Sequence, residues 1–286
     1  MSKHLERDLE ALEQDLLAQS AVVEEMIRIA CRGLCERKVG VSEELQAREP
    51  KINDHEVEIE EECLKILALH QPVAVDLRRV ATVLKVNGDL ERIADLAVNI
   101  GERNDALAAW PDHRLPDTLQ KMSDAAIAMV RDVLDAFVDS DVDQAFDVRR
   151  RDDEVDALNR TVIDEVYRWV QQNPASIEPA LHLFSASRHI ERIADHATNI
   201  AEDVIYLVEG EIARHRPNSQ LQPPPPPSPA TPPTGPPTAA PRLHNPLSDP
   251  LSDPTDDTRA EDIPAADNPT GDGSSKDNDQ HDRRTV

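Results

Sequence analysis

The chain has 286 residues, 39% of them hydrophobic, and its 56 acidic against 31 basic side chains give a formal charge of −25. A surface that acidic disfavours nucleic acid and the anionic face of a membrane as charge partners, and suits cations or a basic patch on another protein. The opening MSKHLERDLE has no apolar signal-peptide core, and no run reaches the ~18–20 apolar residues of a spanning helix, so a cytoplasmic protein is expected, with membrane contact only through partners.

In chain order, Leu5, Leu9, Leu12, Leu16, Val23, Met26 and Ala30 recur at steps that predict a long first helix ending near Glu36. Gly40 breaks it. Ser42, followed by Glu43 and Glu44, reads as the N-cap of a second helix that runs to about His70 and is kinked or interrupted at Pro50. Pro72 opens the first turn of a third helix reaching about Leu107, where a missing N–H costs nothing. AAWPDHRLP, residues 108–116, is the connector. The plan then repeats, with helices expected over 116–139, 141–172 and 177–213. Cys31, Cys35 and Cys63 are odd in number and lack CxxC spacing, so they read as reduced packing residues and not as a disulfide framework or a zinc site.

Strand signals are missing, with only seven aromatic residues and no apolar/polar alternation. The fold class expected is therefore all-α, as two tandem three-helix-bundle repeats over residues 1–110 and 111–216. Residues 217–286 hold 17 of the 23 prolines and few large apolar side chains, a composition expected to remain disordered. That tail carries 11 acidic and 5 basic residues, which leaves −19 on residues 1–216.

ERIADLAVNIGE at 91–102 recurs as ERIADHATNIAE at 191–202, identical at 9 of 12 positions and offset by 100. On a helix, Glu91 and Asp95 lie side by side, as do Glu191 and Asp195; like charges so placed cost a few tenths of a kcal/mol unless a cation sits between them. A metal site is the first hypothesis. At 3.6 residues per turn, Glu91, Asp95, Asn99 and Glu102 fall within about 80° of one another, opposite Ile93, Ala97 and Ile100. The carboxylates should therefore line a surface groove and not a buried di-iron core, and neither repeat contains Glu-x-x-His.

Two carboxylates are too few for a hard cation that takes about six oxygens, so the preceding helix must contribute. Repeat two offers Asp152-x-x-x-Asp156; repeat one offers Glu49-x-x-x-Asn53, in which the neutral amide weakens the set. For Asp152 and Glu49 alone a solvated acidic face is the simpler reading. Arg92 and Arg192 can ion-pair within each motif, but surface pairs contribute only about 0–1 kcal/mol.

The segments HQPVAVDLRRV (70–80), LERIADLAVNI, IERIADHATNI and DVLDAFVDSDVDQA (132–145) resemble the PhoU family of bacterial phosphate-signalling accessory proteins, and the resemblance covers residues 1–216. It implies two three-helix repeats with surface multinuclear metal clusters of Fe, Mn, Mg or Zn. The implied ligands are Glu49, Glu91 and Asp95 in repeat one, and Asp152, Asp156, Glu191 and Asp195 in repeat two. It further implies a homodimeric regulator, not an enzyme, that joins the ATPase subunit of the phosphate ABC transporter to the sensor histidine kinase of the phosphate response and restrains both. A carboxylate-bridged metalloenzyme and a metal-free helical scaffold are the alternatives from other classes.

Overall fold

The computed structural model describes residues 3–111 and 115–210. These form seven α-helices: α1 Lys3–Glu36, α2 Val41–Gln46, α3 Glu49–His70, α4 Ala74–Leu107, α5 Asp117–Asp139, α6 Val142–Gln172 and α7 Ile177–Glu209, with a single 3₁₀ turn at Pro174–Ser176. No strand occurs among the described residues. The expected pair of three-helix bundles is present, α1, α3 and α4 followed by α5, α6 and α7, while the tail expected over 217–286 lies outside the described residues.

The apolar stripe of α1 is buried as its spacing predicts, with Leu9, Leu12, Leu16, Val23 and Met26 all inside. Each such leucine contributes about 1.5–3 kcal/mol through the apolar surface it withdraws from water. Asp141 caps α6, its Oδ1 accepting from the Gln144 N–H at 3.0 Å. A single hydrophobic cluster runs through both bundles.

The second helix is interrupted next to Pro50 as expected: α2 ends at Gln46, and α3 starts afresh at Glu49 with Pro50 in its first turn, where the absent N–H is harmless. The cap of this segment is a correction. Ser42 is not an N-cap. Gly40, left-handed at φ 82°, holds that position, and the cap comes from α4. The Asp105 carboxylate accepts from the backbone N–H groups of Gly40, Val41 and Ser42 at 3.0, 3.2 and 2.9 Å and from the Ser42 hydroxyl at 2.5 Å. These donors hold the Asp105 carboxyl below its usual range, against burial that pushes it up. An anion at a helix start also matches the helix dipole.

The third helix begins at Ala74 and not at Pro72. Gln71 takes the left-handed conformation that closes α3, donating its N–H to Leu67 O, so residues 71–73 turn the chain before α4 can start. Two side-chain contacts hold this corner to α1: the Arg79–Glu13 ion pair, and a 3.0 Å hydrogen bond between His70 Nε2 and Asp8.

The two bundles meet where α4 packs on α7, the most extensive helix–helix contact in the described residues. The helices run antiparallel. Lys85 Nζ lies 2.8 Å from Asp203, His196 lies 2.8 Å from Asp89, and Arg78 donates to Leu207 O at 3.2 Å. This register sets Ala94 opposite Ala194, two buried equivalents in the duplicated segment. Ala97, Ala197 and Ala201 are buried nearby, and side chains this small let the helices approach closely. The duplication is thus expressed as an approximate two-fold relation about the α4–α7 seam.

Candidate carboxylate grooves

In repeat two, antiparallel packing of α6 on α7 brings both acidic pairs together. The Asp152 carboxyl is pushed up to about 6, first by burial and then by the charges of Asp195, Asp156 and Asp153, with a Thr198 hydrogen bond opposing. Burial also raises Glu191; the charges of Asp195 and Asp156 add to it and Arg188 opposes it. Asp195 rises for the same first reason, then through Asp156, against His196, Arg188 and Arg192. The charges of Asp156 and Asp195 thus reach Asp152 and Glu191, which places the four predicted residues on one acidic surface of the α6–α7 pair. The negative charge is concentrated where it is poorly solvated, the condition under which a cation binds best.

Repeat one is assembled differently. Glu91 is raised by burial and by Asp95, with Arg92 opposing. The charge that reaches it from α3 is that of Glu56. Glu49 is half-buried at the first residue of α3, and Asn53 is exposed. Asn87 fixes this register, its Nδ2 donating to Glu56 O at 2.8 Å one turn before Glu91. Sequence reading missed Glu56, although it follows Asn53 by one helical turn and so shares its face.

The ERIAD glutamates are set alike in the two repeats, each with a side chain 13% exposed and an Oε2 that is buried without a hydrogen bond. Guanidinium groups supply the compensating charge. Arg92 Nε lies 3.3 Å from Glu91 Oε2, and its terminal nitrogen lies 3.7 Å from Asp95; Arg188 donates to Glu191. Among the described residues, no three His, Cys, Asp or Glu side chains converge to hold one ion as they stand. The donor set, oxygen only, fits a hard cation such as Mg or Mn. A metal ion would have to draw the carboxylates inward and displace the guanidinium groups.

The cysteines belong to the core. All three are free; Cys31 and Cys63 are buried, and burial pushes each thiol up to about 12, which makes them inert. No helix among the described residues is long and apolar enough to cross a membrane.

The chain is an all-α tandem repeat whose halves each carry a partly buried Glu-x-x-x-Asp pair on their last helix. The PhoU domain model matches the chain twice, over residues 16–103 and 119–204, and the chain belongs to that family. A phosphate-specific transport system accessory protein PhoU homolog from Pseudomonas putida is 37% identical over 218 residues, covering 75% of this chain and 84% of the relative. The homolog from Deinococcus radiodurans is 35% identical over 210 residues, 73% of this chain and 99% of its own length. The crystal structure of PhoU from Pseudomonas aeruginosa superposes with a TM-score of 0.69 at 35% identity, covering 72% of this chain and 99% of that one. The phosphate transport system regulatory protein PhoU from Streptococcus pneumoniae gives 0.68 at 26% identity, covering 73% and 98%.

Proposed function

We propose that this protein is an accessory regulator of phosphate-specific transport. In this reading it is a cytoplasmic, non-enzymatic adaptor that binds the ATPase subunit of the phosphate ABC transporter and the sensor histidine kinase of the phosphate response. When phosphate is plentiful it holds both in their restrained states, and it works as a homodimer. The observation that carries the reading is the double match to the PhoU domain together with relatives, named as transport accessory proteins, that are matched over 84 and 99% of their length.

The grooves are its metal sites. Glu191 and Asp195 on α7 with Asp152 and Asp156 on α6 bind one cluster; Glu91 and Asp95 on α4 with Glu49 and Glu56 on α3 bind the other. Oxygen ligands favour Fe, Mn or Mg, with Zn also accepted. Binding neutralises carboxylates that repel one another, so its free energy adds to the stability of the α3–α4 and α6–α7 packing.

Affinity capture from cell extract with the full chain, with and without added divalent metal, tests the adaptor role. Recovery of the transporter ATPase subunit and the kinase is expected. Recovery of neither under both conditions would overturn it. Elemental analysis of the protein purified without chelator tests the sites separately.

A further inference from the structure

Because α4 and α7 are related by an approximate two-fold, each contact at one end of their seam has a counterpart at the other. At the first end the charges are matched. Lys85 Nζ lies 2.8 Å from Asp203, His196 Nδ1 lies 2.8 Å from Asp89, and Asn199 donates to Asp89 at 3.5 Å. Under the 100-residue offset, Lys85 becomes Ser185, Asp89 becomes His189, His196 becomes Leu96 and Asp203 becomes Arg103. The register of Lys85 against Asp203 sets Arg103 opposite Ser185, about 27 Å further along α4. Both carboxylates of the first end are thus replaced by basic side chains, and neither cation is replaced by an acid.

The second end is left with unmatched groups. Arg103 Nε and His189 Nδ1 are buried without a hydrogen-bond partner. Burial, then the charges of Arg103 and Arg192, hold the His189 pKa below its ordinary value, with Glu102 opposing. His189 Nε2 lies 3.2 Å from Ser185 Oγ. Glu102 touches Arg103 Nη2 at 3.2 Å, but it is 41% exposed, and its other oxygen accepts from Gln46 on α2 at 3.5 Å. An exposed pair between sequence neighbours is weak. It leaves the Nε–Nη2 edge of the guanidinium half used.

We propose that this end of the seam is a binding site for a small tetrahedral oxyanion of the phosphate class. The anion takes the Nε–Nη2 edge of Arg103 with two parallel hydrogen bonds, in place of Glu102, and accepts a third from the Ser185 hydroxyl. Donors on two facing helices suit a tetrahedral anion better than a planar carboxylate. His189 positions the hydroxyl, and Arg192 adds charge from the next turn of α7. The anion thereby supplies at the second end what Asp89 and Asp203 supply at the first. Glu191 and Asp195 lie about 120–160° round α7 from His189, so the site is separate from the carboxylate groove. It goes beyond the adaptor reading and does not depend on it.

The test is thermal unfolding of the full chain, after chelation and dialysis, in phosphate, sulfate or chloride. Ionic strength is held equal, because any salt screens a body of net −19. Phosphate and sulfate are expected to raise Tm above its value in chloride, with a saturable concentration dependence. Arg103→Gln should weaken the anion's apparent affinity about tenfold or more. Ser185→Asp is the sharper variant, since it places a carboxylate opposite Arg103: its Tm should rise in chloride, and its response to phosphate should vanish. Should Arg103→Gln fail to fold by circular dichroism, Ser185→Asp alone decides. Equal Tm in the three salts, or a full anion effect in Ser185→Asp, would overturn the proposal. An effect that appears only when metal is restored, and persists in both variants, would assign the anion to the carboxylate grooves instead.

Discussion

His196 Nδ1 lies 2.8 Å from Asp89 Oδ1, joining the second ERIAD segment to the first bundle across the α4–α7 seam. The two-fold relation is broken at this point. The counterpart of His196 is Leu96, and the counterpart of Asp89 is His189, so the pair exists on one side only. Both side chains are largely buried, and removing one partner strands the other. Asp89→Ala should cost about 1–2 kcal/mol, read as a lower urea midpoint with unchanged slope. An unchanged midpoint would mean that the pair contributes nothing to holding the bundles together.

Gly101 marks a second asymmetry. A Cβ there would lie 2.9 Å from Leu45 Cδ1 and 3.2 Å from the Ser42 backbone, so α2 can sit on α4 only because residue 101 has no side chain. Its counterpart in repeat two is Ala201, where α5 leads into α6 with no short helix between. Gly101→Ala should destabilise by about 1–3 kcal/mol through overpacking. Accelerated hydrogen exchange should be concentrated in residues 41–46. Loss of protection spread evenly over both bundles would contradict this local account.

Asp152 gives a pH prediction. Its folded pKa, about 6, lies above the ordinary 3.8 of an aspartate, so the folded state holds the proton more tightly. Its contribution to stability is therefore present below the unfolded pKa and lost as pH rises through about 6. Asp152→Asn should stabilise the metal-free protein at pH 7 by about 1–2 kcal/mol, a figure reduced because the carboxyl is partly solvated. The gain should fade toward pH 4. A variant that loses stability at pH 7 in chelator would show that the charge is compensated in the folded state.

The duplicated ERIAD segments made much of this legible beforehand. A 100-residue offset made α4 and α7 equivalents, the apolar steps placed the end of α1 at Glu36, and repetition of the same plan placed α5 and α6 within a residue of their observed ends. What was not legible depended on groups distant in sequence. Ser42 looks like a cap because its neighbours are acidic, but the capping carboxylate is Asp105, more than 60 residues away. Glu56 was hidden because the first repeat was matched to Glu-x-x-x-Asp spacing. The charge that reaches Glu91 from α3 instead comes from one turn beyond Asn53. Pro72 carried a valid signal for a helix start, displaced two residues by the turn at Gln71.

Metal content should fall unequally between the repeats. In repeat two the charges of Asp156 and Asp195 reach both Asp152 and Glu191; in repeat one Asn53 is neutral, and Glu49 lies about two turns along α3 from Glu56, whose charge is the one that reaches Glu91 from that helix. Glu191→Ala with Asp195→Ala should remove more metal than Glu91→Ala with Asp95→Ala, measured by elemental analysis after identical purification. Equal losses would sink the distinction between the two sites.

The regulatory reading is tested most directly in the cell. A kinase with two signalling states is shifted by a partner only through differential affinity, so loss of a partner that prefers the restrained state must leave the kinase biased toward activity. A phosphatase reporter under phosphate-response control should be off in phosphate-rich medium, on after clean deletion of the gene, and off again when the full chain is restored. Unchanged reporter output after deletion, in a strain with no second family member, would contradict the account.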